Sequence, residues 1–152
     1  QPTDNASLAS LIRAVFHEFD APKEGTVYSD PSTNNLYSLF EQEGAALFVL
    51  EASGAALGCC GIYPTAGLPL GCAEVVKFYF SPQIRGKGWG LKLLLHCEEW
   101  AKEQGYDALY IESLDHFKQA LRLYEKLNYQ VLETPLGAGE HPGCDLCYSK
   151  NL

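Results

Sequence analysis

Methionine is absent from all 152 residues, and the chain opens on Gln1, so the natural N-terminus is expected to have been trimmed or renumbered. Long apolar runs are missing as well. The longest uncharged segment, Ala52 to Ala73, is broken by five glycines and two prolines, whereas a membrane helix needs about 20 consecutive apolar residues. With no secretory signal either, a cytoplasmic protein without a membrane partner is expected. Basic residues are scarce: 11 Lys and Arg stand against 19 Asp and Glu, a net charge of −8. That balance argues against non-specific nucleic-acid binding, which depends on neutralising phosphates. The six cysteines, Cys59, Cys60, Cys72, Cys97, Cys144 and Cys147, lack the spacing of a secreted disulfide framework. His141, Cys144 and Cys147 suggest zinc, but on a strand positions three apart point to opposite faces, and no second ligand pair occurs at zinc-ribbon spacing. Buried reduced thiols and no metal are expected.

The length suits one domain over residues 1–152. Apolar spacing predicts a helix from Ala6 to Phe19, with Leu8, Leu11, Ile12, Val15, Phe16 and Phe19 on its inner face. A short helix over Thr33 to Glu43 is predicted to stop at Gly44. Two strands, Ala46 to Ala52 and Ala55 to Tyr63, flank the turn signal Ser53-Gly54. A third strand, Ala73 to Phe80, leads through a glycine-rich turn into a long helix from Gly88 to Gln104. Asp107 to Glu112 reads as a strand, and Asp115 as the cap of a helix carrying Phe117, Ala120, Leu121, Tyr124 and Leu127. Tyr129 to Glu133 and Cys144 to Ser149 read as the last strands. This order predicts an α+β sandwich, a mixed sheet covered by helices.

The turn Gln83-Ile84-Arg85-Gly86-Lys87-Gly88-Trp89-Gly90 carries the clearest chemical signal. It lies between a strand and a helix start, where unpaired backbone amides and the helix dipole attract anions. Glycines let a phosphate approach the backbone. The stretch Lys77 to Lys92 holds four cations and no acid, a positive island in an acidic chain. The spacing Gly-x-Gly-x-Gly fits neither a dinucleotide fingerprint nor a Walker loop.

Gln83-x-x-Gly86-x-Gly88 resembles the Gln/Arg-x-x-Gly-x-Gly/Ala motif of the GNAT superfamily of N-acetyltransferases. The run Ala73 to Pro82 before it is similar to that family's strand leading into the pyrophosphate loop. Ala120-x-x-Leu123-Tyr124-Glu125-Lys126-Leu127-Asn128-Tyr129 resembles its second motif, usually Ala-x-x-Leu-Tyr-x-Lys-x-Gly-Phe. The likeness covers about residues 46–150, with residues 1–45 matching by element order only. Asn128 replaces a glycine, so an Asn cap in the left-handed region is expected. Phe117 stands where many relatives carry asparagine, and the family's first strand finds no counterpart before Asp4.

The resemblance implies a GNAT fold and direct attack of a primary amine on acetyl-CoA, the cosubstrate, with no metal. It assigns Gln83, Arg85, Gly86, Lys87, Gly88, Trp89 and Gly90 to the pyrophosphate, and backbone groups of Phe78, Tyr79 and Phe80 to the pantetheine arm and oxyanion. Phe117 and Tyr124 complete the cofactor contacts. Tyr124 is the expected acid for the leaving thiolate, since a phenol of pKa about 10 stays protonated at neutral pH. Glu74 is the expected base, directly or through a water, with Glu112 second. Alternation places Glu74, Val76, Phe78 and Phe80 on one face. The acceptor is expected near Phe16, Phe19, Tyr28 and Tyr37 with His17, Glu18, Asp20 and Asp30. A non-catalytic acyl-CoA-binding module and a regulatory protein for another phosphorylated ligand stay open, as does a homodimer.

Overall fold

The computed structural model describes residues 1–137 and 142–152. Helix α1 spans Asn5–Glu18 and buries Leu8, Ala9, Ile12, Val15 and Phe16, the stripe expected of one helix face. The expected helix over 33–43 is shorter and divided. Pro31–Asn34 forms a 3-10 turn capped by Asp30, whose carboxylate accepts from the Ser32 N–H at 2.8 Å. Asn35, at φ −139° and ψ 56°, interrupts it, and α2 is the single turn Leu36–Leu39.

Strands β1 (Ala46–Ala52), β2 (Ala55–Tyr63), β3 (Cys72–Phe80), β4 (Ala108–Ser113), β5 (Gln130–Leu132) and β6 (Leu146–Asn151) form one sheet in the order β1-β2-β3-β4-β6-β5. The turn between β1 and β2 has Ser53 at φ 52° and Gly54 at φ 78°, the left-handed pair that a two-residue hairpin requires. Among the described residues only β3 and β4 pair in parallel. Their pairing ends early, from Cys72↔Ala108 to Glu74↔Tyr110, so the outer edge of β3 beyond Glu74 is left without its neighbour. Helices α3 (Trp89–Glu103) and α4 (Lys118–Lys126) cover one face with a core that includes Val75, Phe80, Leu94, Cys97 and Tyr124. On the other face α1 packs with Cys59, Leu114 and Tyr79.

Three local expectations change. The strand alternation fails at Lys77, which adopts φ 56° where the β2–β3 register slips between Val76 and Tyr79. This bulge inserts one residue and reverses the parity of the rest of the strand. Ala73 and Val75 face α3 before it, and Phe78 and Phe80 face the same side after it. Glu74 therefore lies on the opposite face from Phe78 and Phe80, together with Tyr79. Asp115 does not cap α4: the N-cap is Phe117 without a side-chain bond, and the Asp115 carboxylate pairs with Lys118. The last two strands are displaced or shortened, and Cys144 precedes β6. Asn128 does take the left-handed cap, at φ 67°.

Candidate functional site

Gly88 caps α3 at φ 82°, and Gly86 before it has φ 71°. Both values lie where side chains are strained, which is the local reason for glycine. The Lys92 amide makes the first intrahelical bond, to the Gly88 carbonyl at 3.1 Å. The amides of Trp89, Gly90 and Leu91 precede it and have no intrahelical partner. The motif spacing occurs a second time here, as Arg85-x-x-Gly88-x-Gly90. That register sets its glycines on the helix cap and second helical residue, among those amides. At Gly90 an added Cβ would sit 3.3 Å from the Phe78 ring and 3.7 Å from Leu123, so this glycine lets α3 close onto the cleft wall.

The cleft holds about 310 Å³. Of the expected cofactor residues, Phe78, Tyr79, Phe80, Arg85, Gly86, Gly88, Gly90 and Phe117 line it. Gln83 and Lys87 on the loop and Trp89 at the start of α3 are exposed and outside that lining. Leu91, Gln119 and Leu123 also line it, as do Val15 and Phe19 of the α1 region. Leu91 carries a sequence signal in the apolar side of the long helix, and Leu123 as a residue of the second family motif. Phe19 reads from sequence as an acceptor residue instead, because nothing local shows which wall a helix end meets.

The four cations of the positive island divide into two kinds. Arg85 forms a two-pronged pair with Glu18, Nη1–Oε1 at 2.7 Å and Nη2–Oε2 at 2.5 Å. Lys77 is buried, 3.5 Å from the Asp30 carboxylate, and burial lowers its pKa while Asp30 opposes the shift. Lys87 donates to the neutral Gln83 carbonyl at 2.8 Å, and Lys92 lies 4.8 Å from the Trp89 ring centroid. Lys87 and Lys92 are thus exposed cations beside the helix start.

A second cavity of about 50 Å³ lies on the α1 face where β3 and β4 part. Glu74, Lys77, Glu112, Cys144 and Tyr124 line it. Its wall of Phe78, Tyr79, Phe117 and Ala120 is shared with the larger cleft. Glu74 is 6% exposed and accepts from the Thr65 hydroxyl at 2.5 Å. Glu112 accepts from the Tyr110 hydroxyl at 2.9 Å. Tyr124 is buried among Phe78, Tyr129 and Tyr148, and burial holds its pKa well above the usual phenol value. The Cys144 thiol is pushed up to about 12, first by burial and then by Glu112 and Glu74.

The acids expected to receive the acceptor do not converge. Glu18 serves Arg85, and Asp30 serves Ser32 and Lys77. His17 and Tyr28 hydrogen-bond each other at 3.0 Å, Tyr37 is 42% exposed, and Asp20 turns the chain after α1 at φ 49°. Phe16 alone of that set lines the second cavity. His141 of the considered zinc trio lies outside the described residues. Cys147 of that trio has its sulfur 3.2 Å from the Tyr110 hydroxyl oxygen. Among the described residues no three His, Cys, Asp or Glu side chains gather as metal ligands, and no helix is long and apolar enough to cross a membrane.

The sheet is thus parted between its central parallel strands, with a glycine turn and helix start beside the opening. The acetyltransferase (GNAT) family model matches residues 12–129. The "Uncharacterized N-acetyltransferase YjgM" of Escherichia coli (strain K12) is 36% identical over 150 residues, covering 98% of this chain and 90% of that protein. A GNAT-family acetyltransferase from Staphylococcus aureus Mu50 superposes with a TM-score of 0.84 at 18% identity, covering 99% of this chain and 94% of that one. The PaiA N-acetyltransferase of Thermoplasma acidophilum, solved with coenzyme A, has a TM-score of 0.75 at 18% identity over 100% and 95% of the two chains. This chain belongs to the GNAT acetyltransferase family and is an N-acetyltransferase.

Proposed function

We propose that the protein transfers an acetyl group from acetyl-CoA to a primary amine by direct attack. The observation that carries this reading is the pair of cavities back to back. A cofactor arm lying in the larger cleft along β3 brings its thioester to the wall shared by Phe78, Tyr79, Phe117 and Ala120. The amine reaches the same wall from the smaller cavity. Family membership supports acyl-CoA as donor.

The residues present fit the cofactor. The amides of Trp89, Gly90 and Leu91 would take the pyrophosphate, with Lys87 and Lys92 nearby. Because β3 loses its neighbour after Glu74, backbone groups of Phe78, Tyr79 and Phe80 can bond the arm and the developing oxyanion. Glu74, from the opposite face, takes the amine proton directly or through a water. The amine nitrogen then bonds the carbonyl carbon and the carbon–sulfur bond breaks. Tyr124 gives its proton to the expelled thiolate. Burial makes this phenol a weaker acid, but the thiolate is expelled at an equally dry wall, where desolvation raises its own basicity.

The test is thiol release from acetyl-CoA with a panel of amines, amino acids, polyamines and aminoglycosides, for the wild type and Tyr124→Phe. Amine-dependent release that falls in the variant supports the reading. Saturable acetyl-CoA binding without release for any acceptor would replace it with a non-catalytic acyl-CoA-binding module.

A further inference from the structure

We propose that Glu18 is a positioning residue for the cofactor cleft: through Arg85 it fixes the end of α1, and with it Phe19, as one wall of that cleft. The inference rests on the acyl-CoA reading above.

Glu18 is the last residue of α1. An acid there faces the negative end of the helix dipole and is unfavourable for the helix itself. Its place is explained by Arg85, whose Nη1 and Nη2 reach both carboxylate oxygens at 2.7 and 2.5 Å. That bond is the largest cause holding the Glu18 pKa below its ordinary value. The same guanidinium donates from Nε to the Phe80 carbonyl at 2.8 Å and lies 5.0 Å from the Phe19 ring centroid. One planar group thus joins the end of β3, the glycine turn and the end of α1. Phe80, Arg85 and Phe19 all line the cleft, with Val15 one turn before Phe19.

Two consequences separate this role from others. First, the Arg85 charge is already matched by Glu18, so Arg85 contributes shape more than net charge to a phosphate site. Only a planar fork can bridge these partners, and a lysine cannot. Second, the Glu18 side chain is 41% exposed, and exposed pairs contribute little to global stability. Its effect should appear in cofactor affinity rather than in unfolding.

The experiment measures calorimetric Kd values of the full chain for coenzyme A and acetyl-CoA. Wild type, Glu18→Gln, Arg85→Lys and the double variant are compared, with the thermal midpoint of each unliganded protein. Glu18→Gln is expected to weaken binding about fivefold, Arg85→Lys at least as much because it also gives up the Phe80 carbonyl, and the double variant no more than Arg85→Lys alone, the signature of Glu18 acting through Arg85. Glu18→Asp, which keeps the charge, is expected to recover part of the loss. The thermal midpoint of Glu18→Gln stays with the wild type. Unchanged or tighter binding in Glu18→Gln overturns the proposal, because Glu18 would then be idle or a competitor of the phosphates. Multiplying effects, or a Glu18→Gln midpoint that falls with its affinity, overturn it too. If the wild type binds neither ligand, the acyl-CoA reading fails first and these variants are not its cause.

Discussion

The two cavities that meet at Phe78, Tyr79, Phe117 and Ala120 differ in how they are made. The polar groups of the larger come from backbone, between apolar walls: a helix start, two glycines with left-handed φ and a strand edge that has lost its β4 neighbour. The smaller is built from side chains drawn together from distant places, with Glu74 and Lys77 on β3, Glu112 on β4, Tyr124 on α4 and Cys144 before β6. Backbone sites tolerate sequence change and suit a constant ligand. Side-chain sites are where selectivity for a variable acceptor can be set. If this contrast holds, steric changes in the first should remove cofactor binding outright, while changes in the second should alter turnover and pH response.

The largest effect is expected at Gly90. Its added Cβ alone would approach Phe78 to 3.3 Å, and the two further methyls of Gly90→Val would press on the Phe78, Phe80 and Leu123 side chains that wall the cleft. Misplacing a bound group by about 1 Å can cost a hundredfold. A loss of acetyl-CoA affinity of at least that order is expected, with circular dichroism unchanged. Near-normal Kd would mean that the cofactor does not pass this point.

Tyr124→Phe comes next. It keeps the aromatic packing with Phe78, Tyr129 and Tyr148 and removes only the proton, so kcat should fall about a hundredfold with acetyl-CoA affinity intact. The pH profile sharpens the assignment. Burial raises the phenol pKa, so the proton that catalysis needs is kept throughout the range below that raised value. Wild-type rates should rise with pH as the amine deprotonates and then level, with no fall up to about pH 10. A descending limb centred near 9 would count against Tyr124 as the acid.

The same contrast explains what could be read from sequence. Both β1–β2 limits, the glycine turn and the Asn128 cap were legible because each depends on neighbours a few residues apart. The Lys77 bulge was not. Nothing in Val76-Lys77-Phe78 announces it; it arises from pairing with β2, where the register slips between Cys59 and Gly61. That one residue moved Glu74 to the opposite face from Phe78 and Phe80. Likewise Arg85 reads as a phosphate ligand until Glu18, 67 residues away, is placed against it.

Glu74 and Glu112 test the smaller cavity at a middle magnitude. Removing a base matters only while the amine arrives protonated. Glu74→Gln should lower turnover about tenfold near neutral pH and recover as pH approaches the amine pKa. Glu112→Gln, on β4 rather than on the strand that carries the shared wall, should change the rate less. A larger and equally pH-dependent loss in Glu112→Gln would reverse the two roles.

The smallest effects should come from Lys87 and Lys92, because they only supplement a backbone site. Both are exposed, and water and salt screen such charges. Lys87→Ala and Lys92→Ala should each weaken acetyl-CoA binding about threefold at low ionic strength and converge on the wild type in high salt. Their contribution is attraction toward a helix start whose amides do the holding, in a chain that is otherwise acidic. The alternative is that the cations themselves grip the phosphates. In that case the losses would be about tenfold or more and would persist in salt, and the backbone account of the larger cavity would give way to a side-chain one.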